Sequence, residues 1–434
     1  MVNDQWSMFN EKAANCITVM NQPHHNQKKL RIALFTALYT PFLSGISVAV
    51  HQRVCWLLQQ GHEVFLIYPQ SKHESFAKVH NKQMPGIDVL QSFPGFQAYA
   101  YPTKPLIFYK SLPEPLSYKH WSDTSLLENF QPDIIIVEEA PHMRGFYSLF
   151  SGGYGRPIGV EYAVKKQIPN IVLFHTDILA YSEYYFGSMF LRLFSPLISA
   201  LVKQFSQAYD KIYFPSLQQL TKYQKMKVQK GEYLPYQGVD CDKFKPQNSC
   251  YDPLPGDRRQ TLLFVGRLAS EKNIKDLIAI IPLITDKIPD IHIVIVGTGP
   301  LEAEIRAQAA QFKSNMTVWG KSLGTELLGW FAKADLFVNP SLSENFCTTN
   351  MEALASGTPV VAFDAGGNSE QINSGVNGIL VSPNNLGDFA QKIIELFKNP
   401  TLKQKMAQQA RQTALDLDWS KCMTKLESEL YQLV

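Results

Sequence analysis

Two α/β domains in tandem, each a mostly parallel sheet covered by helices on both faces, is the architecture the sequence predicts. Three observations predict it. Short continuous apolar runs alternate with helical patterns along most of the chain, as expected of strands buried on both faces. The rhythm runs twice, interrupted between about Gln237 and Arg259 by Gly238, Pro246, Asn248, Pro253, Pro255 and Gly256. At 434 residues the chain is too long for one ordinary core. It suits two domains of roughly 200 residues.

The elements follow in order. Residues 1–29 are polar, rich in Asn and Gln, and lack the apolar core of a signal peptide; they read as a loose tail. The pair His24-His25 has no further zinc ligand close by. Organised sequence begins at Leu30. Arg31 to Phe35 is an apolar run, Ser44-Gly45-Ile46-Ser47 a loop, Val48 to Gln60 a helical pattern closed by Gly61, and Glu63 to Tyr68 a second strand. Strand, glycine loop, helix, strand is a βαβ unit. Further buried strands are expected at Ile134 to Val137, at Ile171 to Phe174 ending at His175, and at Lys211 to Phe214. In the second half the runs are Thr261 to Val265, Ile291 to Val296, Leu336 to Val338 and Pro359 to Phe363. Each ends in a polar or glycine loop, at the sheet edge where open α/β folds bind ligands. Trp419 to Leu433 reads as an amphipathic helix.

Composition narrows the functional classes. Hydrophobic residues make up 45% and charged residues 18%, which excludes disorder. The net charge of +3 gives no case for nucleic acid as a partner. The six cysteines form no Cys-x-x-Cys pair and read as reduced thiols of a cytoplasmic protein. No uninterrupted apolar stretch reaches the roughly 20 residues that span a bilayer. Tyr185 to Val202 comes nearest, but carries Arg192 and Pro196.

Two constellations carry chemistry. In the first, Glu344 and Glu352 lie eight residues apart, after a strand and around the start of a helical pattern. A helix beginning near Phe346 would turn its N-terminal N–H groups to the cleft, where phosphate or sugar oxygens bind. Two surface glutamates at a helix start would read the same way. In the second, Arg267 and Lys272 follow the end of a strand at Gly266, a spacing that lets both converge on a diphosphate. A solvated loop with Glu271 pairing Lys272 is the alternative.

Together these residues resemble the retaining family-4 glycosyltransferases of the GT-B fold. The resemblance runs over nearly the whole chain from Arg31. Its pieces are Ser44-Gly45-Ile46, Gly238-Val239-Asp240 with Phe244 and Pro246, Gly266-Arg267 with Glu271-Lys272, Gly297-Thr298-Gly299-Pro300, Trp319-Gly320, the Glu-seven-residues-Glu motif from Glu344 to Glu352, Gly357 to Val361, and Gly366-Gly367 with Glu370. It implies two Rossmann-like domains facing across a cleft. An acceptor-binding domain would span 30–237 and a nucleotide-sugar domain 238–415, with the helix of 416–434 crossing back to the first. It implies that Arg267 and Lys272 bind the donor diphosphate and stabilise the departing nucleotide. Glu352 would hold the ribose, and Glu344 the donor-sugar hydroxyls, helped by backbone N–H groups of Asn345, Phe346, Cys347 and Thr348. Gly266, Gly297 and Gly299 belong to the donor loops. Gly45 would approach the distal phosphate, and His175 would line the reaction centre. The donor is expected to be a UDP-linked sugar and no metal is expected to be needed. Asp240-Cys241-Asp242 and Asp416-Leu417-Asp418 are Asp-x-Asp sequences in unpromising places for an ion.

The acceptor side is less legible. Phe93 to Tyr118 is dense in aromatics and prolines, and Tyr181, Tyr184, Tyr185 and Phe186 follow His175. An apolar helix with Arg192, Lys203 and Lys211 nearby would rest on an anionic bilayer, or equally pack in a core. His175-Thr176-Asp177 with Tyr181 and Tyr185 looks like the glycolipid-synthesising members of the family, such as sulfoquinovosyl- and digalactosyl-lipid synthases. It lacks the proline those enzymes often place before the tyrosine. A lipid acceptor on a peripheral membrane surface is therefore the expectation. A soluble acceptor is the alternative, and a sugar-nucleotide epimerase or hydrolase of the same fold is the alternative of another class.

Overall fold

A computed structural model describes residues 28–36, 38–39, 45–70, 87–105, 113–115, 124–138, 159–175, 177, 196–197, 199–200, 202–204, 206–246, 251–254, 256–257, 259–312, 315–342 and 344–434. Two sheets organise them. The first has eight strands in the order β4-β3-β2-β1-β5-β6-β7-β8. These are β1 (Arg31–Thr36), β2 (Glu63–Gln70), β3 (Phe96–Pro105), β4 (Pro113–Pro115), β5 (Ile134–Glu138), β6 (Asn170–Leu173), β7 (Lys211–Phe214) and β8 (Gly231–Tyr233). The second has six, ordered β11-β10-β9-β12-β13-β14: β9 (Thr261–Val265), β10 (His292–Val296), β11 (Met316–Gly320), β12 (Leu336–Asn339), β13 (Val360–Phe363) and β14 (Gly378–Val381). All pairings are parallel except β3 with β4.

The central strands are the apolar runs of the sequence. In β5 every residue is buried, as in β10, β12 and β13. Helices supply the covering layers. Ile274–Lys287 turns its buried isoleucines onto the second sheet, beside Ile393 and Phe397 of Leu386–Lys398.

The strands absent from the sequence reading sit mostly at the rims. β4, β8, β11 and β14 are edges, and β3 is next to one. Such strands are short or half exposed, as in β11 and β14, so no continuous apolar run marks them. The aromatic stretch from Phe93 has a partly structural destiny. Phe93 and Tyr101 are core residues, and the Tyr101 hydroxyl donates to Thr36 O at 3.0 Å. Pro102 is tolerated because β3 lies one strand from the edge, near the end of its pairing with β2. The first helix runs Gly45–Gln59, three residues earlier than its apolar pattern, so Gly45 opens the helix instead of preceding it.

The chain passes between the sheets twice, side by side. Val239 N donates to Leu417 O and Trp419 N to Val239 O. Gly238 is needed there, since a Cβ would stand 2.5 Å from Leu417 O. The last helix, Trp419–Leu433, then returns to the first half. Met423, Leu426 and Leu430 enter the core around Ile32, Leu34 and Ile136. Among the described residues no helix is long and apolar enough to cross a membrane.

Candidate active site between two facing sheet edges

In each sheet the strand order reverses once: between β1 and β5 in the first, between β9 and β12 in the second. Loops leaving the C-terminal ends of neighbouring strands diverge there, which opens a crevice for a ligand. The predicted residues lie at these two points. Gly45 follows β1 and Glu138 ends β5; His175 follows β6, next along. Across from them, Gly266 and Arg267 follow β9 and Glu344 follows β12. The two edges touch. A Cβ built on Gly45 would lie 3.7 Å from Thr348 Oγ1, and Asn345 Nδ2 donates to His175 O at 2.5 Å. A third contact joins the halves farther out. Glu370 accepts from Leu217 N at 2.9 Å and Gln218 N at 2.5 Å, at the N-terminus of helix Leu217–Lys225.

The cations of the second half are held by carboxylates. Arg267 Nη2 pairs with Glu271 Oε1, and Lys272 Nζ with Glu344 Oε1 at 2.6 Å. Glu271 thus serves Arg267, which corrects the expected alternative of a Glu271–Lys272 pair. The side chains of Arg267 and Lys272 stay 43% and 27% exposed. Glu352, half-buried on the helix Thr348–Ala355, lies one turn beyond its start.

That helix begins at Thr348, two residues later than its pattern implied, with Cys347 as N-cap and no side-chain cap. The N-terminal N–H groups of such a helix attract an anion. The Cys347 side chain points inward, accepting from Asn339 Nδ2 at 3.1 Å, and burial followed by the nearby Glu344 charge pushes its thiol up to about 12. The buried side chain leaves its backbone to a ligand, and the shift disfavours a thiolate there.

Glycine lets the loops meet. Gly297, at φ +144°, would place a Cβ 1.9 Å from Gly266 O. Gly366 would place one 2.4 Å from Glu344 O, while Gly367 N donates to that same oxygen at 2.6 Å. Any side chain would push these loops apart. Gly299, half-buried, is in the same position against Leu268 O. Phe346 is half-buried between Asn345 and the helix start.

Beneath the loops lies an amide lattice absent from the sequence reading. Asn339 Nδ2 donates to Asn350 Oδ1 and Asn368 Oδ1 at 2.9 and 3.0 Å, and Asn350 Nδ2 donates to Asn368 Oδ1 and Gln371 Oε1. Asn368 Nδ2 reaches Ser341 O, and Ser341 Oγ donates to Glu271 O at 3.1 Å. The lattice thus reaches through Ser341 to the loop that carries Glu271 and Lys272.

On the first half, His175 is 6% exposed and its ring is held from both sides. Nε2 lies 2.6 Å from Glu138 Oε2, and Nδ1 2.5 Å from Gln237 Nε2. Arg53 Nε donates to Glu138 Oε1 at 2.5 Å. Burial alone would raise the Glu138 pKa; Arg53 and then His175 outweigh it and hold the carboxyl below its ordinary value. Tyr181 and Tyr185 lie outside the described residues, as do Arg192 and most of the 185–202 stretch. Lys211 pairs with Glu232. The two Asp-x-Asp sequences have structural work: Asp240 bonds Lys243, while Asp418 caps the last helix through Ser420 N and accepts from Cys241 N.

Two parallel sheets whose C-terminal edges face each other, with paired cations, two carboxylates and an open helix terminus on one edge, define a GT-B glycosyltransferase. The comparisons agree. The profile described as "Glycosyltransferase Family 4" matches residues 43–243, and that described as "Glycosyl transferases group 1" matches residues 252–413. A GDP-mannose-dependent alpha-mannosyltransferase of Corynebacterium glutamicum is 25% identical over 92% of this chain and 88% of its own. An alpha-monoglucosyldiacylglycerol synthase of Streptococcus pneumoniae is 26% identical over 77% of this chain and 71% of its own. The Anabaena protein Alr3699/HepE, solved in complex with UDP, superposes with a TM-score of 0.68 at 16% identity, covering 94% of this chain and all of that one. The chain belongs to the group 1, family 4 glycosyltransferases of the GT-B fold, and it is a hexosyltransferase.

Proposed function

We propose that the protein moves a sugar from a nucleotide-diphosphate sugar to a hydroxyl of a membrane lipid, with retention at the anomeric carbon. One observation carries the reading. Arg267, Lys272, Glu344 and the uncapped start of Thr348–Ala355 face Gly45 and His175 across a gap narrow enough for Asn345 to bond His175 O. A diphosphate seated between the two cations would meet the helix N–H groups on one side and the Gly45 backbone on the other.

The chemistry follows from where charge develops. The bond from the anomeric carbon to the diphosphate breaks, and negative charge gathers on the leaving oxygens. Arg267 and Lys272, already held by Glu271 and Glu344, stabilise it without reorganisation. The acceptor oxygen bonds the anomeric carbon on the same face, and its proton passes to a diphosphate oxygen. This route asks no protein group to act as nucleophile. It also fits Cys347, a neutral thiol, and His175, whose two ring nitrogens are both engaged. The two cations supply the positive charge that a metal ion provides elsewhere, so we assign no metal to the reaction. Glu352 holds the ribose hydroxyls, and Glu344 those of the transferred sugar.

The lipid acceptor is supported by the family resemblance around His175 and by the diacylglycerol-glycosylating relative. For the base, uridine follows the resemblance, and guanosine is the competitor that the Corynebacterium relative uses by name. The test incubates purified protein with UDP- and GDP-sugars, with and without diacylglycerol vesicles. Vesicle-dependent nucleotide release, a hexose mass gain on the lipid and the equatorial anomeric proton signal of a retained α linkage are expected from an α-linked donor. Turnover only with soluble sugars would remove the lipid acceptor. An inverted anomeric centre would remove the same-face route.

A further inference from the structure

We propose that Glu138 is a positioning residue for transfer: with Arg53 behind it and Gln237 opposite, it fixes the His175 ring in one tautomer and so aims the His175 carbonyl at the sugar-binding loop. This rests on the reading that His175 lines the reaction centre.

Three observations support it. The first is cost. Arg53 and Glu138 have no exposed side-chain surface, and Arg53 Nη2 has no hydrogen-bond partner among the described residues. A buried ion pair is on balance no better for stability than apolar side chains of similar volume. An under-satisfied pair retained at the strand-order reversal, where ligands bind, is explained by what it holds. The second is direction. Glu138 ends β5 in register with Thr36 of β1 and Leu173 of β6, so its carboxylate spans from the helix behind β1 to the loop after β6. One oxygen takes Arg53 Nε and the other takes His175 Nε2. An ionised carboxylate can only accept, so Nε2 carries the proton and Nδ1 is left to accept from the Gln237 amide. The third is connection. Arg53 Nη1 donates to Tyr236 O, its Nη1 meets Met423 Sδ at 3.2 Å, and the Tyr236 ring stands edge-on to His175 at 5.6 Å. Tyr236 and Gln237 open the segment that crosses to the second half, and Met423 lies on the helix that returns from it. The His175 ring is thereby held by the segments that set how the halves meet. The His175 carbonyl faces Asn345, the residue after Glu344.

The Glu138→Gln and Gln237→Leu variants test this, each beside His175→Ala. Glu138→Gln keeps shape but removes charge; Gln237→Leu removes the opposite hold and leaves the ion pair intact, so one variant survives if the other fails to fold. Imidazole nitrogen NMR of the wild type is expected to show His175 protonated at Nε2. Glu138→Gln should populate the other tautomer, whereas Gln237→Leu should keep the Nε2 proton but free the ring to turn; each should lower kcat about 100-fold, the cost of an ångström-scale misplacement, with the donor KM changed less than about threefold. Glu138→Asp should recover part of the loss. An unchanged tautomer and kcat in a folded variant would overturn the proposal, as would a loss carried entirely by KM. Full activity in His175→Ala would instead remove His175 from the reaction centre, a different failure visible in that variant alone.

Discussion

The two halves put polar groups beneath the same cleft in opposite ways. The first half buries an ion pair, Arg53 with Glu138, against a histidine ring. The second buries neutral amides: Asn339, Asn350, Asn368 and Gln371, donating and accepting among themselves. The difference follows from what each must hold. A single ring needs a strong, directional anchor, which charge-assisted bonds provide at the risk of a stranded charge. Several loops need many modest bonds spread over a surface, which amides supply without that risk. The cations of the second half, Arg267 and Lys272, stay partly exposed at the edge that faces the first half.

The comparison breaks most severely at Arg53. Arg53→Leu strands the Glu138 carboxylate and should cost about 3–5 kcal/mol in chemical denaturation of the first half. The pH dependence gives the sign. In the native protein Glu138 lies below its ordinary value of 4.5, so its contribution is present above that pH and fades as pH falls below it. Without Arg53, burial dominates and the carboxyl rises, so the variant's deficit should shrink as pH is lowered. A deficit constant from pH 8 to pH 5 would show that Glu138 is not the stranded charge.

Lys272→Ala in the second half removes the partner of the nearly buried Glu344 carboxylate, so it should cost some stability, less than Arg53→Leu, and lower kcat about 100- to 1,000-fold, the scale of one lost transition-state charge contact. Steady-state turnover checks this, and a loss of donor affinity alone would assign Lys272 to ground-state binding. Asn350→Leu sharpens the contrast. It takes the Asn350 donor from Gln371 Oε1 and one of two donors from Asn368 Oδ1 but strands no charge, so about 1–3 kcal/mol is expected, with no change in the deficit between pH 5 and 8. The smallest effect belongs to Glu370→Gln. Its carboxylate is exposed and faces the start of Leu217–Lys225, so a weaker hold on closure should raise the donor KM about two- to fivefold and shrink further in high salt.

Legibility followed local chemistry. Arg267, Lys272, Glu344 and Glu352 were readable because each sits within a few residues of a strand end or helix start that the apolar pattern marks. The central strands were readable for the same reason. β11 and β14 were not, because edge strands pack on fewer neighbours and their sequences mix exposed and buried positions. Glu138 stands directly after Ile134-Ile135-Ile136-Val137, and a charge closing so apolar a run was the available signal. Its partners are 85 residues away at Arg53 and 37 away at His175, so no spacing rule joins them. The amide lattice escaped for a related reason: Asn339, Asn350 and Asn368 read singly as loop or cap residues.

What the sequence determined by itself is the alternation of strands and helices, the division into two sheets and the glycine loops at their ends, since each depends on burial pattern and backbone sterics within a short stretch. What only the tertiary structure decided is which charges meet. Arg267 takes Glu271, Lys272 takes Glu344, and His175 takes Glu138. Ion pairs and buried hydrogen bonds depend on distances of a few ångströms between segments far apart in the chain, and those distances exist only once both sheets have packed and their edges face each other.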